Sequence, residues 1–154
     1  TMLAGRPDGL VAITVSADAA LIAQQAVKQT SGIPMATVSA SEALIELGGQ
    51  AVEGMVVAQA NNRADTSPGY QAFLRAYVAR FGREPGYSAI FSYDAVTVAT
   101  QAMARSAPGE SLRDAVLRHQ PYQGVQEPIR FDRFGDSSRA AYFSIVRNGQ
   151  FEPL

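Results

Sequence analysis

From Phe73 to Ser106 the chain reads FLRAYVARFGREPGYSAIFSYDAVTVATQAMARS, two helices joined by a tight turn. No other stretch constrains the fold as much. The first helix spans about Pro68 to Phe81 and places Tyr70, Phe73, Leu74, Tyr77, Val78 and Phe81 at spacings of three and four, an amphipathic stripe. Pro68 suits its first turn, and Gly82 closes it as a left-handed cap. The second helix, about Gly86 to Arg105, is apolar on nearly every side, with Asp94 its only charge before that end. Such a helix is expected to be buried all round. Asp94 must then find a partner. The expectation is a structural hydrogen bond or ion pair, for example with an arginine such as Arg80 or Arg83, the alternative being a contact near a cleft or hinge.

At 154 residues the chain is the size of one ordinary domain, able to bury roughly 68–70% of its unfolded surface. Its 13 basic and 14 acidic residues leave a net charge of −1 with no basic block, which argues against nucleic acid or an anionic membrane as partner. The absence of cysteine excludes a disulfide framework and thiolate metal sites.

Leu10-Val11-Ala12-Ile13-Thr14-Val15 is apolar except for Thr14 and reads as a strand buried on both faces of a parallel sheet. Ser16 or Asp18 caps a helix running to about Ser31, ended by Gly32-Ile33-Pro34. Met35 to Val38 is a second strand. A brief helix from Ser41-Glu42 stops at Gly48-Gly49, and Met55 to Ala58 is a third strand. Strand and helix alternate as in an α/β domain with parallel strands. Ala60 to Pro68 is a loop or crossover. Beyond the two central helices, Ser111 and Asp114 form a capping pair for a helix to about His119. Ile129 to Phe131 and Tyr142 to Arg147 read as strands, the last closed by Asn148-Gly149.

The order of YxxRFGxxP, the YDA helix, GVQEPIRFDRFGD (Gly124 to Asp136) and IVRNGQF (Ile145 to Phe151) resembles the ligand-binding proteins of branched-chain amino-acid-type ABC transporters. These are type I periplasmic binding proteins. The resemblance runs from about Asp8 to the end and covers the C-terminal portion of the family's usual length. It implies two α/β lobes joined by three crossings, with the solute bound between them. Residues 1–59 would belong to the C-terminal lobe, 60–140 would cross into the N-terminal lobe, and 141–154 would return. It also implies a periplasmic, non-enzymatic component of an importer, without cofactor, that binds a small polar solute and docks on a membrane permease. A ligand-sensing domain of a signalling receptor is the alternative on the same fold.

In open α/β sheets ligands sit beyond the carboxyl ends of the strands. That makes Val15, Ser16, Ala17 and Asp18 after the first strand, and Ser39 and Ser41 after the second, the candidate ligand contacts. Relatives that bind amino acids carry an aromatic or polar contact in the first loop and a carboxylate for the ligand's ammonium in the second. Here those positions fall on Val15 and Ser39, with Glu42 nearby. The competing expectation is that the serines only cap helices.

Catalysis finds little support. His119 is the sole histidine and no GxSxG elbow accompanies it, so it reads as a solvated residue at a helix C-terminus. One histidine and dispersed carboxylates make no metal site. Asp132 to Asp136 lacks the alternating oxygen ligands of a calcium loop and reads as a turn with Gly135 at positive φ. No Gly-rich phosphate loop opens a helix.

If the resemblance holds, the parent gene should encode at least as many residues again upstream, beginning with a signal peptide. Sequencing the flanking DNA checks this, and an open reading frame that starts at Met2 would count heavily against it.

Overall fold

The computed structural model describes residues 2–29 and 32–154. The expected end of the first helix, Ser31, lies outside them. Two compact units emerge: residues 1–64 with 141–154, and residues 65–140.

The first unit is a five-stranded sheet in the order β1-β2-β3-β6-β7, with β1 at Leu10–Ala12, β2 at Met35–Val38, β3 at Val56–Gln59, β6 at Tyr142–Arg147 and β7 at Gln150–Pro153. The strands β1, β2 and β3 run parallel; β6 and β7 join antiparallel. The helices α1 (Ser16–Gln29) and α2 (Ala43–Gly48) provide the crossovers. One face of α1 is all alanine, with Ala19, Ala20, Ala23 and Ala26 buried. Without longer side chains in the way, the helix settles close to its neighbours, and Leu44, Val52, Met55, Val57 and Val146 complete the core. Fully burying a side chain such as Leu44 contributes about 1.5–3 kcal/mol.

Register puts Ala12, Thr37, Val57 and Ser144 side by side in one buried row. Thr37 satisfies its hydroxyl by donating to the Ala12 carbonyl at 2.8 Å. The neighbouring row on the opposite face, Val11, Ala36, Val56 and Ile145, is also apolar. Here the expectation of a first strand buried on both faces fails. Pairing of β1 stops at Ala12 opposite Thr37, and Val11, Ile13 and Val15 are 66%, 80% and 66% exposed. An edge strand with helices on one face only leaves alternate side chains uncovered. The Asn148-Gly149 turn has φ of 51° and 69°, the paired positive values of a type I′ hairpin. Glu53 accepts hydrogen bonds from both turn amides, at 3.0 and 2.7 Å.

The second unit holds α3 (Pro68–Phe81), α4 (Tyr87–Arg105), α5 (Leu112–Arg118) and a small pair of strands, β4 (Tyr122–Gln123) and β5 (Pro128–Ile129). Gly82, at φ 70°, ends α3 as its sequence predicts. Ser111 accepts a hydrogen bond from the Asp114 amide and caps α5. The hairpin β4–β5, which periodicity does not reveal, carries Tyr122 into the core. Its hydroxyl donates to the Ala115 and Val116 carbonyls at 3.1 and 3.0 Å. Asp132 organises its turn by accepting from the Phe134 and Asp136 amides, with Gly135 at φ 94°.

One expectation for α4 needs correction, the partner of Asp94. Only one face of α4 is buried, through Ile90, Asp94, Val98 and Ala102, while Tyr93, Val96 and Met103 are more than half exposed. A helix apolar all round has here been given neighbours on one side. The partner of Asp94 is Arg139, at 2.8 Å, and neither Arg80 nor Arg83. The same carboxylate, 1% exposed, accepts from the Val125 amide at 2.7 Å, and the Arg139 guanidinium lies 4.7 Å over the Phe91 ring. Replacing Asp94 by Ala would leave a buried guanidinium and a buried amide without their acceptor. Such a break costs about 3–5 kcal/mol. With Arg139 retaining some contact with water, urea unfolding should place Asp94→Ala near the lower bound, and a loss below 1 kcal/mol would refute the account.

Candidate functional site

Because β1, β2 and β3 are parallel, their carboxyl ends open on one edge of the sheet. The loop after β1 leads through Thr14 and Val15 into Ser16, the first residue of α1. The loop after β2 is Ser39-Ala40-Ser41. Ser39 adopts φ 48°, a left-handed conformation uncommon for a residue with a Cβ, which costs roughly 1–2 kcal/mol. Its amide donates to the Ala58 carbonyl at 2.8 Å, and the tight turn buries Ala40 at 1% exposure.

Ser41 is thereby brought back to Ser16. The Ser41 amide donates to Ser16 Oγ at 2.9 Å, and the two hydroxyls stand 3.1 Å apart. The cap assigned to Ser41 by sequence is not made. The α2 N-cap is Glu42, which makes no side-chain cap bond, and the Ser16 oxygen serves the second loop instead. Of the six candidate residues, Ser16 and Ser41 meet directly. Val15, Ala17, Asp18 and Ser39 are exposed around them. Asp18 accepts from the Thr14 hydroxyl at 3.3 Å.

Sequence reasoning missed the residues that support this edge. Gln59 closes β3 and is 3% exposed. Its Nε2 donates to the Ala40 carbonyl at 3.0 Å, and its Oε1 accepts from Arg63 Nε at 3.1 Å. Arg63 also pairs with Glu42 at 3.0 Å and lies 4.5 Å over the Phe151 ring. Glu42, the carboxylate nearest the second loop in sequence, is thus already neutralised. The one available signal was an amide side chain ending an otherwise apolar strand. Beyond it stands Asn61, 2% exposed, whose Oδ1 has no hydrogen-bond partner among the described residues. Any amide or hydroxyl donor, water included, would satisfy it.

Elsewhere the chemistry is sparse. His119 follows α5, and its Nε2 stands 3.4 Å from the Arg118 guanidinium, no orienting partner for a general base. Among the described residues no group of three or more histidines and carboxylates could hold a metal ion. No described helix is long and apolar enough to cross a membrane.

Comparison with known proteins decides the family. The family model described as periplasmic binding protein matches residues 1–150. The chain belongs to the periplasmic binding protein family. Among solved structures it is similar to a leucine binding protein, LivK, from Thermotoga maritima, with 25% identity and a TM-score of 0.90 over 99% of this chain and 45% of that one. It is 31% identical to a putative branched-chain amino acid ABC transporter protein from Rhodospirillum rubrum, with a TM-score of 0.74 over 99% of this chain and 46% of that one. A solute binding protein from R. palustris in complex with benzoate shares the fold at 15% identity, with a TM-score of 0.78 over 99% of this chain and 44% of that one. No curated protein sequence matches. The chain spans just under half the length of these solved relatives. The α/β fold with parallel strands flanked by helices agrees with the sequence expectation.

Proposed function

We propose that the chain forms part of the solute-binding component of an ABC importer, located in the periplasm, and that the carboxyl edge of its parallel strands is one wall of the solute site. The unit of residues 1–64 with 141–154 is assigned to the C-terminal lobe and that of residues 65–140 to the N-terminal lobe, where the sequence reading placed the first crossing at residues 59–60. Family membership supports the binding role and docking on a membrane permease. The reading of the solute rests on one observation: the second loop offers hydroxyls and no free carboxylate, since Ser39 stands exposed and Glu42 is held by Arg63.

An α-ammonium group brought to that loop finds no anion. Leaving it desolvated and unpaired costs several kcal/mol, a large part of the roughly 8 kcal/mol of micromolar binding. Ser16, Ser39 and Ser41 suit a solute recognised through neutral or anionic oxygen and amide groups, a small carboxylic acid or amide. The benzoate complex of the R. palustris protein is a case of this fold holding an acid that has no ammonium.

Calorimetric titration of the purified full-length protein should therefore give leucine and valine affinities at least about a hundredfold weaker than that of a preferred carboxylate or amide, a difference of roughly 2.8 kcal/mol. Tight leucine binding undisturbed by Ser39→Ala would show that the ammonium is held elsewhere.

The isolated chain is further proposed to self-associate. Val11, Ile13 and Val15 on the sheet edge, and Val96 and Met103 on α4, present apolar surface to water. Light scattering should report a dimer or larger species, and a compact monomer that binds no hydrophobic dye would refute this.

A further inference from the structure

The chain has three asparagines, Asn61, Asn62 and Asn148. Asn61 is 2% exposed and Asn62 is half-buried. Asn148 is exposed, and the residue after it is glycine. That pairing carries a chemical liability as well as a turn. Asparagine is a thermolabile residue, because the backbone nitrogen that follows it lies within reach of its side-chain Cγ. Glycine has no Cβ to hinder that approach.

The reaction balances without any co-reactant but water. The Gly149 nitrogen adds to Asn148 Cγ and gives up its proton to water or hydroxide. The side-chain nitrogen leaves as ammonia, and a five-membered cyclic imide remains. Water then opens the imide at either carbonyl. The products are aspartate or an isoaspartyl link, and the net change is one water taken up and one ammonia released.

In the folded chain both turn amides are occupied. Glu53 Oε1 accepts from the Gly149 amide at 2.7 Å, and Oε2 accepts from that of Asn148 at 3.0 Å. Glu53 is itself fixed against the hairpin. Its amide donates to the Gln50 carbonyl at 3.3 Å, and the Gly54 amide donates to the Val146 carbonyl at 2.9 Å. The proton that Gly149 must lose is therefore aimed at a carboxylate, and its loss would place a second negative charge beside the first. Ring closure also requires the Asn148-Gly149 peptide to turn toward the Asn148 side chain, which breaks the 2.7 Å bond. Hydrogen bonds from backbone N–H groups to an ionised carboxylate are about twice as strong as neutral ones.

We propose that Asn148 is a deamidation site, and that Glu53 is the positioning residue that keeps it slow in the folded chain. What Glu53 protects is strand register. Asn148-Gly149 is the two-residue turn between Arg147 and Gln150, which pair across β6 and β7. An isoaspartyl link inserts an extra backbone methylene there, which a type I′ turn does not accommodate. Phe151 is the next residue of β7, and its ring is the one beneath Arg63 at 4.5 Å. The proposal is independent of any solute.

Incubating the purified protein at mildly alkaline pH, with Asn148 conversion followed by peptide mapping, reads the rate directly. A synthetic peptide spanning residues 143–153 supplies the unrestrained rate. Wild type should convert at least about tenfold more slowly than the peptide, and Glu53→Gln should regain roughly that tenfold, the factor expected for losing one hydrogen bond to a charged group. Arg147→Gln removes the 3.6 Å pair with Glu152 on the same hairpin and leaves Glu53 in place. Its rate should match wild type. In wild type the exposed Gly149 amide should also exchange its hydrogen about tenfold more slowly than in the peptide. An unchanged or slower rate in Glu53→Gln would overturn the proposal, the slower rate because Glu53 would then be acting as a base. Equal acceleration by Arg147→Gln would overturn it too, since the rate would report strand opening. Should Glu53→Gln fail to fold, the wild-type exchange decides alone, and an unprotected Gly149 amide would overturn the proposal.

Discussion

The side-chain amide of Gln59 joins three parts of the first unit that would otherwise have no reason to share a geometry. Its nitrogen takes the Ala40 carbonyl and so fixes the loop after β2; its oxygen takes Arg63 and lies 3.5 Å from the Ser144 hydroxyl of β6. An amide buried this completely is costly unless its donors and acceptors are met. Once met, in low dielectric, the bonds specify one arrangement. The turn at Ser39, the approach of Ser41 to Ser16 and the orientation of Arg63 all follow from it. Replacing this amide by an apolar side chain of similar size would strand the Ala40 carbonyl and leave Arg63 held by Glu42 and Phe151 alone.

A second constraint is the uncovered side of the sheet. Parallel strands are ordinarily buried on both faces. In the first unit α1 and α2 cover one face, and Val11 and Phe143 on the other are more than half exposed. The apolar character of the sequence is therefore greater than the described contacts use. The same holds for α4, whose outer face carries Val96 and Met103. Both surfaces have the composition of core, and the chain spans under half the length of its solved relatives.

Legibility in the sequence followed the range of the interactions. Helix α3 was readable to both ends because periodicity, Pro68 and Gly82 are all local signals. Strand β6 and its Asn148-Gly149 turn were readable for the same reason. The end of β1 was not, since an apolar run does not announce where its neighbour stops pairing. The partner of Asp94 lies 45 residues away and that of Ser16 lies 25 away. Composition offered several arginines for the first and many serines for the second, and only the fold chooses among them. Strand order alone singled out the carboxyl edge of the sheet, and β1, β2 and β3 do run parallel to end on one edge. Whether its serines cap helices or hold each other was a question of tertiary geometry.

The distribution of charge at that edge carries a further consequence. Arg63 and Glu42 neutralise one another, and the Glu42 side chain remains about half exposed at 47%. An exposed pair of this kind contributes little to stability by itself, typically 0–1 kcal/mol. Its larger effect is on recognition, because a carboxylate engaged by a guanidinium that is itself fixed by Gln59 and Phe151 is not free to turn toward a solute. What remains in the second loop for a solute is hydroxyls, one of them on a residue held at positive φ, while the first loop adds the exposed Asp18 carboxylate. Backbone strain of that kind persists only where surrounding contacts impose it, and here the Ala58 carbonyl and the Gln59 amide supply them. The supporting network thus sets both the shape of the second loop and its lack of an available negative charge.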